Sequence, residues 1–170
     1  MGTPVRRPVA VFRVHPATLG VATFAALLLQ TFLPVKIPLA RLLDFPLLVT
    51  IYFALLRRNP VFGIGLGAAV GLLQDALSHG FIGILGMTKA VAGYLAALAS
   101  IRFNLEPLVA RSVLLAICVL VHNLFLAGLE QCLLQPPPPF QPLDLTSSLL
   151  LNVAFGLIVF QVLDRFKHPA

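Results

Sequence analysis

Charged side chains are scarce in this sequence. Twelve Lys and Arg and six Asp and Glu make up only 11% of the 170 residues, whereas 59% are hydrophobic. A soluble domain of this length has about a quarter charged residues, and a mean hydropathy of +0.97 is too high for a surface that faces water. These shortages exclude an ordinary soluble domain and predict one domain embedded in lipid.

Cysteine and the motifs of catalysis are also scarce. The two cysteines, Cys118 and Cys132, fall in one apolar run, and on one helix they would stand about 21 Å apart, too far for a disulfide. The sequence has no spacing typical of a zinc site or a phosphate-binding loop. We therefore predict no enzyme, no metal and no cofactor. The net charge of +6 lies mostly at the ends of apolar runs, which indicates membrane topology and anionic lipid rather than nucleic acid.

Long apolar runs, by contrast, are abundant. A spanning helix needs about 20 apolar residues, and six runs approach or exceed that length: 16–33, 42–56, 61–77, 81–101, 108–134 and 145–163. The second run is the shortest, and it could pair with a re-entrant piece between Pro34 and Leu43. The sequence thus predicts an all-α integral membrane protein with a basic tail (1–15), a six-helix transmembrane domain (16–163) and a second basic tail (164–170).

The distribution of Lys and Arg predicts the orientation of these spans. With the N-terminus inside, nine basic residues lie on the cytoplasmic side and only two, Lys36 and Arg41, on the outside. This asymmetry follows the positive-inside rule. Six crossings would then place both termini in the cytoplasm.

In this topology the polar side chains within the spans gather in the outer half of the membrane. Asp75 and Glu130 end the third and fifth spans, while Lys89 and Asn152 lie roughly 12 and 10 Å down the fourth and sixth. Charges in hydrocarbon cost several kcal/mol, so they persist when they are paired or functional. The group can be an ion-pair cluster that fixes helix register, a switch read by a partner, or a ligand site.

Asp75 raises a separate question, because a carboxylate is disfavoured at the C-terminus of a helix. It needs a compensating donor, either Lys89 or the backbone N–H groups that open the fourth span. His122, near the middle of the fifth span, could form a hydrogen bond with a neighbouring helix.

The third span carries three glycines at intervals of four, Gly63, Gly67 and Gly71. Such small-xxx-small repeats allow another helix to approach closely. The approaching helix can belong to this bundle or to another protein.

Several motifs in a fixed order resemble the core of the MreD family of rod-shape-determining membrane proteins. They are "LLDFP" with Asp44 and Pro46, the glycine-spaced third span, "GLLQD" ending at Asp75, a short loop with Gly83 and Gly86, and "GYL" from Gly93. The order "DFP" departs from the usual family pattern, in which proline precedes the aspartate, and this leaves the role of Asp44 open.

The resemblance implies a non-catalytic subunit of the bacterial elongation machinery in the cytoplasmic (inner) membrane. It implies a fold similar to the substrate-binding subunits of energy-coupling-factor vitamin transporters. The implied partner is MreC, a single-span protein with a large extracytoplasmic domain, and through it RodA, its partner transpeptidase and the MreB filament. A vitamin-binding transporter subunit is the alternative, and the lining of the pocket should discriminate between the two.

Overall fold

The computed structural model describes residues 12–13, 16–78, 81–103, 105, 107–136, 139, 141–166 and 168–169. Six helices dominate it, as predicted: α1 Pro16–Lys36, α2 Phe45–Arg57, α3 Pro60–Ser78, α4 Ile84–Arg102, α5 Leu108–Leu133 and α6 Pro142–Asp164. Two-residue strands, β1 Phe12–Arg13 and β2 His168–Pro169, pair antiparallel. Most of the predicted tail 1–15, and residues 167 and 170 of the tail 164–170, lie outside the described residues.

Five of the six helices are long and apolar enough to cross a membrane, and α2 is a shorter apolar helix. Its 13 residues measure about 20 Å, against a hydrocarbon core of about 30 Å. The segment before it, predicted as the start of the second span or as a re-entrant piece, forms a short 3-10 helix, Pro38–Leu42, followed by a break. The predicted run 42–56 is therefore divided between two elements.

The short helix α2 nevertheless forms the centre of the molecule. Ten of its residues are buried, and it contacts each of the other five helices. The outer helices α1 and α6 instead expose large apolar side chains such as Phe24 and Leu150. All six helices are apolar, but α2 is too short to cross the hydrocarbon core alone, and the irregular backbone before it must be enclosed by protein at that depth.

Close packing of α3 on α4 depends on the glycines of α3. A Cβ atom on Gly67 would lie 2.5 Å from the carbonyl carbon of Lys89, and one on Gly71 would lie 2.5 Å from that of Leu85. A Cβ on Gly63 would meet the α4 backbone at 2.8 Å. The glycine face therefore lies against α4 within this chain, and it sets how closely the turn that carries Lys89 approaches α3.

Candidate functional site

The break before α2 leaves backbone groups that no helix satisfies, and side chains of other helices bond to them. The carbonyl of Leu42 accepts a hydrogen bond from Nδ2 of Asn152 at 2.7 Å, and the N–H of Asp44 donates to Oδ1 of the same side chain at 2.9 Å. The N–H of Phe45 donates to Oε1 of Gln30 at 3.1 Å. Non-helical backbone at membrane depth must find partners within the protein, and α1 and α6 provide them here.

Asp44 lies at the centre of this break and joins three helices. Its Oδ1 accepts a hydrogen bond from the N–H of Leu47 at 2.9 Å, which caps the N-terminus of α2. Its Oδ2 forms an ion pair with Nζ of Lys89 and lies 3.4 Å from Nε2 of His122. The Lys89 side chain is 0% exposed, that of His122 2% and that of Asp44 17%. We call these three residues the ionic centre.

Asp75 is stabilised by backbone N–H groups at the start of α4, which were one of the two donors considered for it. Its carboxylate accepts hydrogen bonds from the N–H groups of Gly83 at 2.8 Å and of Leu85 and Gly86 at 3.3 Å. These groups open α4, where the helix dipole favours a negative charge. Lys89, the other donor considered for Asp75, pairs with Asp44 instead.

The predicted polar cluster is therefore only partly assembled. Lys89 and Asn152 meet at the break, since both contact Asp44, whereas Asp75 holds the first turn of α4. Glu130 makes no ion pair with any residue that the structure describes. Asp44 was not among the residues predicted for this cluster, because the depth of a residue that follows an irregular turn cannot be counted from the sequence.

A cavity of about 480 Å³ opens beside the ionic centre, at the end of the bundle predicted to face outward. After this predicted orientation we call it the outer cavity, and the two ends of the bundle the outer end and the inner end. Asp44 and His122 line it, together with Gln74, Glu130 and Arg41. One polar atom in this lining, Oε1 of Gln74, is buried without a hydrogen-bond partner among the described residues. The lining thus combines charged and polar side chains, which can bond to a polar occupant of the cavity.

A second ion pair lies at the opposite end of the bundle. Arg111 on α5 pairs with Asp164 at the end of α6, and Oη of Tyr52 donates to Asp164 at 3.1 Å. Nε of Arg111 also donates to the carbonyl of Leu105 at 2.8 Å. This pair, which no motif in the sequence indicated, joins α2, α5 and α6 where α5 begins.

An all-helical bundle with five membrane-length helices and a buried ionic centre defines a multi-pass membrane protein. The chain belongs to the MreD family, because the family model described as "rod shape-determining protein MreD" matches residues 13–166, nearly the whole chain. Membership confirms the family resemblance and a rod-shape-determining role within the MreBCD shape system. Comparisons with curated proteins and with solved structures find no match.

Proposed function

We propose that the chain is a non-catalytic scaffold and regulatory subunit of the bacterial cell-elongation complex in the cytoplasmic membrane. In this proposal it binds MreC directly. Through MreC it supports RodA, its partner transpeptidase and peptidoglycan synthesis, and it connects indirectly to the MreB filament. Membership of the MreD family supports this function.

The observation that carries the proposal is the cavity beside the ionic centre. In the predicted orientation it opens toward the side on which MreC has its large domain. Polar and charged side chains of its lining, Gln74, Arg41 and Glu130, can bond to the backbone of an inserted segment of MreC. A segment bound there would favour the bundle and MreC conformations that fit each other, and would so bias which state of the synthase complex is populated.

The ends of the described chain support an even number of membrane crossings. The pairing of Phe12–Arg13 with His168–Pro169 brings both ends of the described chain to the same end of the bundle. That arrangement fits an even number of crossings, with α2 and the preceding 3-10 helix together making the second. Nine basic residues against two then favour cytoplasmic termini.

Size favours the alternative, a vitamin-binding subunit of an energy-coupling-factor transporter, because ligand pockets measure about 300–1,000 Å³ and the cavity measures about 480 Å³. Charge disfavours it. Lys89 and His122 both contact Asp44, which leaves few convergent groups for a small molecule.

Site-specific photo-crosslinking tests the proposal. A photoreactive residue at Leu126, which lines the cavity, should capture MreC, whereas one at the exposed Phe24 of α1 should not. Gln74→Met should reduce copurification of MreC, and the exposed Gln161 provides the matched control Gln161→Met. A stoichiometric small molecule in the purified protein, with no MreC adduct from Leu126, would favour the transporter subunit.

A further inference from the structure

A second cavity, of about 650 Å³, lies between α4 and α5 at the opposite end of the bundle. It is an open apolar groove with the buried Leu114 and Cys118 on its floor, and the exposed Val113 and Ile117 on one wall. Arg102 is the charged residue in the described lining of this groove. The groove is separate from the outer cavity and from the ionic centre.

The length of the groove limits what can occupy it. Along α4 the lining runs from Leu95 to Phe103, which is about 12 Å of helix. One leaflet of the hydrocarbon core is about 15 Å deep. A partner helix that crosses the membrane would contact a face along the full 30 Å or so, whereas a lipid chain from one leaflet matches the groove that is present.

Charge identifies the headgroup. Arg102 forms no ion pair within the described part of the chain, which omits residues 104 and 106, whereas the nearby Arg111 pairs with Asp164. In the predicted orientation this end of the bundle faces the cytoplasmic leaflet, where anionic lipids attract basic residues and basic pockets between helices bind their headgroups.

We propose that the groove between α4 and α5 binds one acyl chain of an anionic glycerophospholipid, whose phosphate contacts Arg102. The chain lies on Leu114 and Cys118, and the headgroup lies at the end of α4. The bound lipid fills the gap between α4 and α5, which both run from one end of the bundle to the other. This inference does not depend on the binding of MreC.

Native mass spectrometry of the full chain with defined lipids tests the headgroup. Phosphatidylglycerol should be retained in preference to phosphatidylcholine with the same acyl chains. Arg102→Gln should lower that preference roughly fivefold, the effect of one basic residue near a membrane surface. Arg165→Gln, which removes an exposed cation at the same end but outside the groove, should leave it unchanged. Equal retention of the two lipids by the unaltered protein, or equal effects of the two variants, would overturn the proposal.

The groove itself is tested by filling it from its exposed wall. Val113 is 52% exposed, so Val113→Trp should close the groove without disturbing the core, and retention of phosphatidylglycerol should fall while thermal unfolding is unchanged. A photoreactive residue at Ile117, activated in membranes that contain the whole complex, should yield a lipid adduct. A protein adduct in its place would show that a partner helix occupies the groove, and would refute the proposal.

Discussion

The two ends of the bundle each hold an ion pair, but the two pairs differ in their surroundings. The side chains of Lys89 and Asp44 are 0% and 17% exposed, whereas those of Arg111 and Asp164 are 20% and 27% exposed. Loss of one partner from a buried pair costs about 3–5 kcal/mol because a charge is left unpaired. An exposed pair contributes about 0–1 kcal/mol. The buried pair of Lys89 with Asp44 should therefore determine the structure around it, whereas the pair of Arg111 with Asp164 should change stability only slightly.

Lys89→Met is expected to have the largest effect on stability. It leaves Asp44 beside His122 at the start of α2 without its cation, so the free energy of unfolding should fall by about 3–5 kcal/mol. Unfolding in detergent micelles measures this change. The proposed binding of MreC should weaken as well, because Asp44 and His122 line the outer cavity.

A double replacement separates the effect of losing the ion pair from the effect of changing the shape of the Lys89 side chain. Asparagine caps helices about as well as aspartate, so Asp44→Asn combined with Lys89→Met removes both charges and keeps the cap on α2. The double variant should recover part of the loss. If its loss equals the sum of the two single losses, the charges are not coupled.

Asp75→Ala should have the next largest effect at the outer end. It removes the acceptor of three N–H groups at the start of α4, and hydrogen bonds to a charged group contribute about 1.5–3 kcal/mol. A loss of about 2–3 kcal/mol in the same unfolding assay is expected. The exposed Asp144 is the matched control, because Asp144→Ala should change stability by about 0.5 kcal/mol. Equal losses in the two variants would contradict this role for Asp75.

Gly67→Ala tests the packing that holds Lys89 in place. Its Cβ would lie 2.5 Å from the carbonyl carbon of Lys89, so α3 and α4 must separate, at a cost of about 1–3 kcal/mol. Gly65 is the matched control on the same helix, since a Cβ there has nothing within 4 Å. Gly65→Ala should be neutral or stabilise by about 0.5–1 kcal/mol. Similar unfolding temperatures for the two variants would show that contact with α4 is unimportant.

The difference between continuous helices and irregular backbone explains what the sequence predicted and what it could not. Apolar runs and their breaks predicted the helices, because lipid requires long uninterrupted hydrogen-bonded segments. Depth counted along one helix placed Lys89 and Asn152 in the outer half, but it could not pair Lys89 with Asp44. Asp44 follows a 3-10 helix, and irregular backbone has no fixed rise from which its depth can be counted.

Glutamine and asparagine were hard to interpret for a related reason. Asn152 reads in the sequence as a polar residue within a span, yet its structural contact is with the backbone of Leu42 and Asp44. A side chain that forms hydrogen bonds with backbone far away in the sequence produces no regular spacing from which its role could be predicted. Gln30 and Ser148 contact the same break, and neither was among the predicted site residues.

The smallest effect is expected at the inner end, from Arg111→Met. The pair is partly exposed, and Tyr52 still donates to Asp164 after the arginine is lost, so the free energy of unfolding should fall by only about 1 kcal/mol. The coupling between Arg111→Met and Asp164→Asn should also shrink as salt is added, because exposed charges are screened. The coupling between Lys89 and Asp44 should shrink much less, since the Lys89 side chain is 0% exposed. A salt-independent coupling at the inner end, as large as that at the outer end, would remove the distinction between the two ends, and burial would no longer explain which ion pair determines the fold.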